Sequence, residues 1–374
     1  DQRVRFGVCV FSGPIMRPNL LLAGNHLSSR GGGSRGPIED LAERLGIRGY
    51  RCLCISSVRN GFLRGMDLLF STMLRRADYD VAVVDLYSGR AFLWGEALSA
   101  TLGLLKRPFV ITLHGGGLPD FAETRVRRVQ RCLARASAVT APSRYLLERM
   151  SRYRADIQLL PNPIDLSNYS YRNRDKVEMR LVWVRAFHKI YNPQMATRVL
   201  ALLPEARLTM VGGDKGDGSL ISTKTVANDL GVAGRLQFTG PIARDQVSDY
   251  LQQADIFINT TDFDNTPVSV IEAMACGLCV VSTNVGGVSH LIDNGIDGLL
   301  VPPGDEEAMA AAVRKIAGNP EFAQRLSRNA RAKAERFDWT HVLPQWESLL
   351  DAIAGAKSSN GASNGARQYA RSNF

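Results

Sequence analysis

Residues 260–287 read TTDFDNTPVSVIEAMACGLCVVSTNVGG. Thr266 suits a helix N-cap, Pro267 the first helical position, and Gly277 the stop after Cys276. Between them PVSVIEAMAC (267–276) is apolar on nearly every side, so the helix is expected to be buried, with Glu272 as its only charge. Short apolar runs at 256–259 and 279–282 flank it and read as strands, which makes the stretch one βαβ unit of a buried parallel sheet. A carboxylate inside such a helix is costly unless it is paired or accepts hydrogen bonds. Either an interior Arg or backbone amide satisfies Glu272, or it accepts hydroxyl protons from a ligand such as a ribose. Asp264 lies eight positions earlier, in the loop leading into the helix. Two carboxylates so placed suit separate hydroxyl-bearing parts of one ligand.

Outward from this unit, short apolar runs alternate with helix-length amphipathic stretches over most of the 374 residues. In the first half the expected strands are 4–11, 51–56, 81–86, 109–114, 138–141 and 157–160, with helices near 36–45, 62–76, 92–105, 122–136 and 144–151. The alternation breaks at PNPIDLSNYSYRNRDK (161–176), whose Pro, Asn, Ser and charge read as an exposed connector. Strands then follow at 181–184, 208–211, 236–239, 256–259 and 279–282, and helices from 306 to 354. The fold class is α/β: two Rossmann-like βαβ domains, 1–165 and 177–338, facing each other across a cleft in which ligands bind. A helix at about 339–355 precedes a tail, 356–374, that is rich in Ser, Asn and Gly and expected to be mobile.

A composition of 45% hydrophobic and 22% charged residues excludes disorder, collagen and coiled coil. No apolar run reaches the roughly 18 residues of a membrane span. The six cysteines show no paired CxxC motifs and no Cys/His metal spacing, so they read as reduced thiols of a cytoplasmic protein. The net charge of +10 lies wholly in residues 1–170, which hold 24 Lys and Arg against 14 Asp and Glu. A basic half points to an anionic partner: a phosphorylated acceptor, nucleic acid, or the inner face of the cell membrane met peripherally. Arg125, Arg128, Arg131 and Arg135 fall near one helical face and suit lipid head groups. Nucleic acid loses support because the basic residues are not interleaved with aromatics.

The quoted stretch resembles the E-x7-E signature of the retaining glycosyltransferases of family 4, which have the GT-B fold. EAMACG stands at 272–277 and NVGG at 284–287, while the first acidic position holds Asp264 where the family has Glu. HGGG (114–117), PNPID (161–165), VGGDKGDGSL (211–220) and DGLLVPPGD (297–305) follow the family's order. The resemblance implies an enzyme of the EC 2.4 class, with the acceptor in the first domain, the donor in the second, and the C-terminal helix crossing back to the first. It implies a nucleoside-diphosphate sugar as donor, UDP-sugar before GDP-sugar, and a glycan, lipid-linked or small-molecule hydroxyl as acceptor. It places Glu272 on the ribose, Asp264 and His114 toward the sugar, and Arg185 and Lys189 of VWVRAFHKIYNP on the diphosphate. Gly213, Asn265, Thr266, Pro267 and Val268 would line the donor.

Breaking a sugar–diphosphate bond leaves about one additional negative charge on the diphosphate, to be stabilised where it develops. Asp262-Phe263-Asp264 has the D-x-D form of metal-dependent transferases, but Asp264 already belongs to the carboxylate pair and no second ligand cluster appears. No metal cofactor is therefore expected, and fixed cations and helix N-termini must supply the field. SSRGGGSRG (28–36), through Gly32 and Gly33, and Gly286-Gly287 are expected to lend backbone amides to phosphate. Neither G-x-G-x-x-G before a ribose acid nor G-x-x-x-x-G-K-[ST] occurs, so hydride transfer and ATP hydrolysis lose support. The resemblance further implies that the acceptor hydroxyl attacks from the diphosphate side and the diphosphate helps take its proton, while the protein orients. A sugar-nucleotide 2-epimerase of the same fold and a non-catalytic nucleotide-sugar-binding protein are the competing readings.

Overall fold

In the computed structural model, which describes residues 17–24, 36–55 and 60–369, the first half builds one parallel sheet. Its elements are β1 (Leu20–Ala23), α1 (Pro37–Ile47), β2 (Cys52–Ile55), α2 (Gly61–Leu74), β3 (Val81–Leu86), α3 (Phe92–Leu104), β4 (Phe109–Leu113), α4 (Leu118–Glu123), α5 (Val126–Ala134), β5 (Ala138–Ala141), α6 (Arg144–Met150) and β6 (Gln158–Leu159). The strands lie in the order β2-β1-β3-β4-β5-β6. Pleating sends alternate residues to opposite faces. Ala82, Val84 and Leu86 of β3 pack with Phe92, Leu98 and Val129 from α3 and α5, while Val81 and Val83 pack on Ile38 and Leu41 of α1 and on Trp339 and Trp346.

The second half adds β7 (Arg180–Val184), α7 (Pro193–Ala201), β8 (Arg207–Val211), α8 (Ser219–Asp229), β9 (Leu236–Phe238), α9 (Val247–Gln253), β10 (Ile256–Asn259), α10 (Val268–Ala275), β11 (Cys279–Thr283), α11 (Val288–Leu291), β12 (Leu299–Val301), α12 (Glu306–Ala317) and α13 (Pro320–Glu335). Their parallel order is β12-β11-β10-β7-β8-β9. It reverses between β7 and β10, and the crevice beyond the carboxyl ends of such a pair is where doubly wound sheets bind ligands. Arg185 follows β7 and residues 260–267 follow β10, so topology alone brings both to that crevice. The last helix, α14 (Trp339–Tyr369), returns to the first sheet and buries Trp339, Val342, Trp346 and Leu350 against Leu20, Leu22 and Leu41.

Several expectations shift. The expected strand at 4–11 lies outside the described residues, and the sequence reading passed over β1. The helix expected over 122–136 is two helices, because Thr124 Oγ1 donates to the Phe121 carbonyl at 3.0 Å and Arg125 leaves helical dihedrals to lie over the Phe121 ring. The 161–176 segment is not an exposed connector. Arg174 is fully buried, donating to the carbonyls of Cys276 at 3.2 Å and Ala254 at 3.1 Å, and Tyr169 is buried as well. Helix α14 runs to Tyr369, past the end expected near 355, since residues 356–369 hold no proline to end it.

Candidate active site

The carboxyl end of β7 delivers Arg185 into the crevice. Its guanidinium Nη2 donates to Asp264 Oδ2, and its face lies 4.7 Å over the Tyr191 ring. Burial pushes the guanidinium below its ordinary pKa, with Tyr191 and Glu272 opposing. Arg185 Nε is buried without an acceptor among the described residues. A buried donor left unmet is costly, and a ligand oxygen would satisfy it. Asp264 is fixed from a second side, where Oδ1 accepts the Asn265 amide at 2.8 Å.

Helix α10 starts one residue later than expected. Pro267 occupies its cap position, and the side chain of Thr266 caps nothing. Thr266 Oγ1 and Ser269 Oγ are both buried without partners among the described residues, so two hydroxyls and the positive end of the helix meet at one place. Gly277, with φ +73°, stops the helix where the sequence placed the stop. Glu272 is buried, and Tyr169 donates its hydroxyl to Glu272 Oε1 at 2.7 Å. Burial pushes the Glu272 carboxyl above the usual range, and the Tyr169 hydrogen bond and nearby Arg244 and Arg185 pull it back. An interior arginine does not sequester it. Glu272 lines a cavity of about 820 Å³ with Tyr169, Ile242, Arg244, Asp40 and Trp339.

The cavity is walled by both halves. Arg244, just beyond β9, donates to Asp40 of α1 at 3.1 Å. Ser143, at the start of α6, donates to Asn265 Oδ1. At the end of β4, His114 is mostly buried, its Nε2 2.9 Å from Asp85 Oδ1 and its ring stacked on Tyr87 at 4.9 Å. The glycines after it do not bare it. A Cβ on Gly116 would lie 2.0 Å from the Phe263 ring, so glycine admits that ring from the opposite half.

Other sequence candidates sit differently. The Gly286-Gly287 turn does not offer the Gly287 amide to phosphate, because that amide donates to the Asp264 carbonyl at 2.9 Å. A Cβ on Gly287 would lie 1.8 Å from the Asn265 carbonyl oxygen, so these glycines allow two backbones to touch and thereby shape the Asp264 loop. Lys189 is exposed, and its ammonium makes no hydrogen bond or ion pair among the described residues. Its backbone amide donates to Asp217 at 2.8 Å. Gly213 acts through its carbonyl, which accepts the Phe187 amide at 2.8 Å. Asp262 Oδ1 accepts from Asn192 at 3.1 Å. Gly32 and Gly33 lie outside the described residues.

Comparison with known proteins settles the family. Residues 28–168 match the model of "Glycosyltransferase Family 4" and residues 172–333 that of "Glycosyl transferases group 1". The chain belongs to the family-4 glycosyltransferases. A D-inositol 3-phosphate glycosyltransferase of Rhodococcus jostii is 27% identical over 74% of this chain and 65% of that protein. Its counterpart in Rhodococcus opacus is 27% identical over 67% of this chain and 60% of that one, so the chain spans under two thirds of either relative. Among solved structures, sucrose-phosphate synthase of Thermosynechococcus elongatus superposes with a TM-score of 0.75 at 18% identity, covering 91% of this chain and 100% of that one. Anabaena HepE in complex with UDP-glucose gives 0.70 at 20% identity, with 92% and 100% covered. These likenesses show the GT-B fold.

Within this member of the family, sequence reading missed Tyr169, Ser269, Arg244 and Asp40. Tyr169 sits among polar residues in a stretch without helical or strand period, and nothing local marks it as buried against Glu272. Tyr169→Phe is expected to raise the donor KM about tenfold, the worth of one hydrogen bond to a charged group, with little change in kcat. Because that bond holds the Glu272 pKa down, its loss should also move the acid limb of donor affinity to higher pH. A melting temperature that falls while KM and pH profile stay put would reduce Tyr169 to a packing role.

Proposed function

We propose that this chain is a retaining glycosyltransferase that moves a sugar from a nucleoside-diphosphate sugar, UDP-sugar first and GDP-sugar next, to a hydroxyl of a glycan, lipid-linked or small-molecule acceptor, without a metal. The observation that carries this reading is the convergence at one topological switch point of a buried carboxylate, a buried arginine with an unmet donor, and a helix N-terminus with two unmet hydroxyls. Those are the complements of a ribose, a diphosphate and its leaving oxygens. The HepE complex with UDP-glucose supports a UDP-sugar as the first donor. The name of the inositol-phosphate relatives supports a phosphorylated acceptor for a basic first domain.

Each residue then has a physical task. Glu272 accepts ribose hydroxyl protons, its carboxylate aimed by Tyr169. Arg185 meets the charge that grows on the diphosphate as the sugar leaves, joined by Thr266, Ser269 and the positive end of α10. As the diphosphate takes a share of Arg185, Asp264 keeps lone pairs for sugar hydroxyls. Asp262 and Asp264 are held by different donors, Asn192 and Arg185, which favours fixed cations over a shared metal. Asp85 holds the His114 ring at the acceptor side of the cleft. The acceptor hydroxyl attacks on the face the diphosphate leaves, and the departing diphosphate takes its proton.

The test is donor turnover without acceptor, followed by NMR with UDP-, GDP-, ADP- and TDP-sugars. Slow hydrolysis is expected, releasing sugar first in the anomeric form of the donor, insensitive to a chelator and abolished in Glu272→Ala. An inverted first product or loss of activity with chelator would overturn the retaining or the metal-free part. Release of a 2-epimer would replace transfer with epimerisation, and absence of turnover with every donor would leave a binding protein.

A further inference from the structure

Helices α2 and α3 pack side by side on the first sheet through Leu68, Thr72, Phe92, Leu98 and Leu102, and Trp94 lies over Gly65 with Phe62 edge-on to it at 5.8 Å. That inner face suffices to seat them. Yet the outer face is apolar too. Phe62, Leu63, Phe70, Met73 and Leu74 of α2 and Leu93 and Leu104 of α3 are exposed, Leu74 by 82% and Leu104 by 85%. They make up seven of the seventeen large apolar side chains exposed among the described residues. On α2 they recur with helical period, so the outer surface forms a stripe running the helix's length of about 21 Å. Exposed apolar side chains concentrated on one part of the surface in this way mark a contact surface.

Charge says what the surface contacts. The two helices run parallel, since each leads from the carboxyl end of one strand to the start of the next. Arg64 and Arg90 therefore stand at the cleft end and Arg75, Arg76, Lys106 and Arg107 at the other, so cations flank the stripe at both ends. Arg125 lies over the Phe121 ring and donates to Thr124, while the adjoining α5 that follows it adds Arg131, and Arg135 at its end. Its Arg128 is spent on Glu96 of α3 at 2.8 Å, which corrects the expectation that all four arginines face outward for lipid. The only acid on α2, Asp67, accepts from Ser71 at 3.2 Å. No helix among the described residues is long and apolar enough to cross a membrane. A protein partner would need matching acidic and apolar features of its own, whereas an anionic leaflet offers both over any area.

We propose that the outer face of α2 and α3 docks on an anionic lipid bilayer, with apolar side chains entering the headgroup boundary and the flanking cations on lipid phosphates. Docking there sets a cavity of about 490 Å³, lined by Phe62, Arg64, Trp94, Arg90, Tyr87 and Asp85, at the membrane surface. Asp85 is the residue that holds His114, so a lipid-linked acceptor in the leaflet would reach the cleft directly. The inference rests on the proposed transfer reaction only for this purpose, because docking is measured without turnover.

The full chain is mixed with phosphatidylcholine vesicles with and without phosphatidylglycerol, and sedimented. Binding is expected to need phosphatidylglycerol, to weaken with salt, and to fall about tenfold or more in Leu74→Gln/Leu104→Gln, whose melting temperature should match the wild type. Undiminished binding by that variant would overturn the proposal in favour of adsorption by charge alone. No binding by the wild type would overturn it as well. A concentration-dependent dimer undone by the same variant, with no vesicle binding, would make the face an interface between copies instead. Docking without donor turnover would leave this proposal standing and remove the transferase reading.

Discussion

Arg185→Ala is expected to lower kcat by roughly 10²- to 10³-fold, the usual loss when one preorganised donor to developing charge is removed. Arg185 is the cation in contact with Asp264, and the orphaned Nε gives it a donor to spare for a diphosphate oxygen. The same change strands Asp264, whose side chain is 15% exposed, at a cost of about 3–5 kcal/mol in stability. Stability and catalysis can be separated. Arg185→Ala/Asp264→Asn removes the stranded charge, so its melting temperature should recover while kcat stays low. Arg185→Lys keeps the charge but loses the planar fork and the contact with Tyr191, and should fall between. Thermal denaturation and steady-state kinetics measure the two effects. A kcat within threefold of wild type in the double variant would remove Arg185 from the reaction and return the role to Lys189.

The second large effect belongs to Glu272. Glu272→Gln is expected to reduce kcat/KM by roughly 10²-fold or more, because an amide oxygen replaces a charged acceptor of ribose hydroxyls and each charged hydrogen bond contributes about 1.5–3 kcal/mol. Stability should move the opposite way. Burial raises the folded-state pKa of Glu272 above its unfolded value, so its favourable contribution is complete below the unfolded pKa and is lost as pH rises through the folded one. Above that window the wild type carries the penalty of a buried carboxylate and Glu272→Gln does not, and the Gln oxygen still accepts from Tyr169. The variant should therefore melt higher than wild type at neutral pH and equal to it in acid. A variant that melts lower at neutral pH, with donor binding intact, would make Glu272 a structural acid bonded to Tyr169.

Much of this was legible in the sequence because it depends on short-range chemistry. A strand followed by Pro, an apolar helix and a glycine stop specifies βαβ whatever surrounds it, and a lone Glu in that helix announces a buried carboxylate. Arg185 and Asp264 were legible through the family resemblance, and the topology agrees, since Arg185 follows β7 and the Asp264 loop follows β10 at the carboxyl end of the sheet. Lys189 was expected beside Arg185 on the diphosphate, and a single turn after β7 leaves its side chain exposed. Gly287 was read as an amide donor, yet its missing side chain serves backbone contact with Asn265.

What the sequence by itself determined is the alternation of elements, the acid in the apolar helix and the lopsided charge, because each follows from periodicity, capping or counting within a few neighbours. Tertiary structure alone decided that Tyr169 aims Glu272, that Arg244 reaches Asp40 across the cleft, and that α2 carries apolar residues on both faces. Those facts join residues separated by a hundred positions or more, or depend on which face of a helix meets the sheet. Neither is encoded in a local period: they arise only when two sheets and a returning helix are packed together.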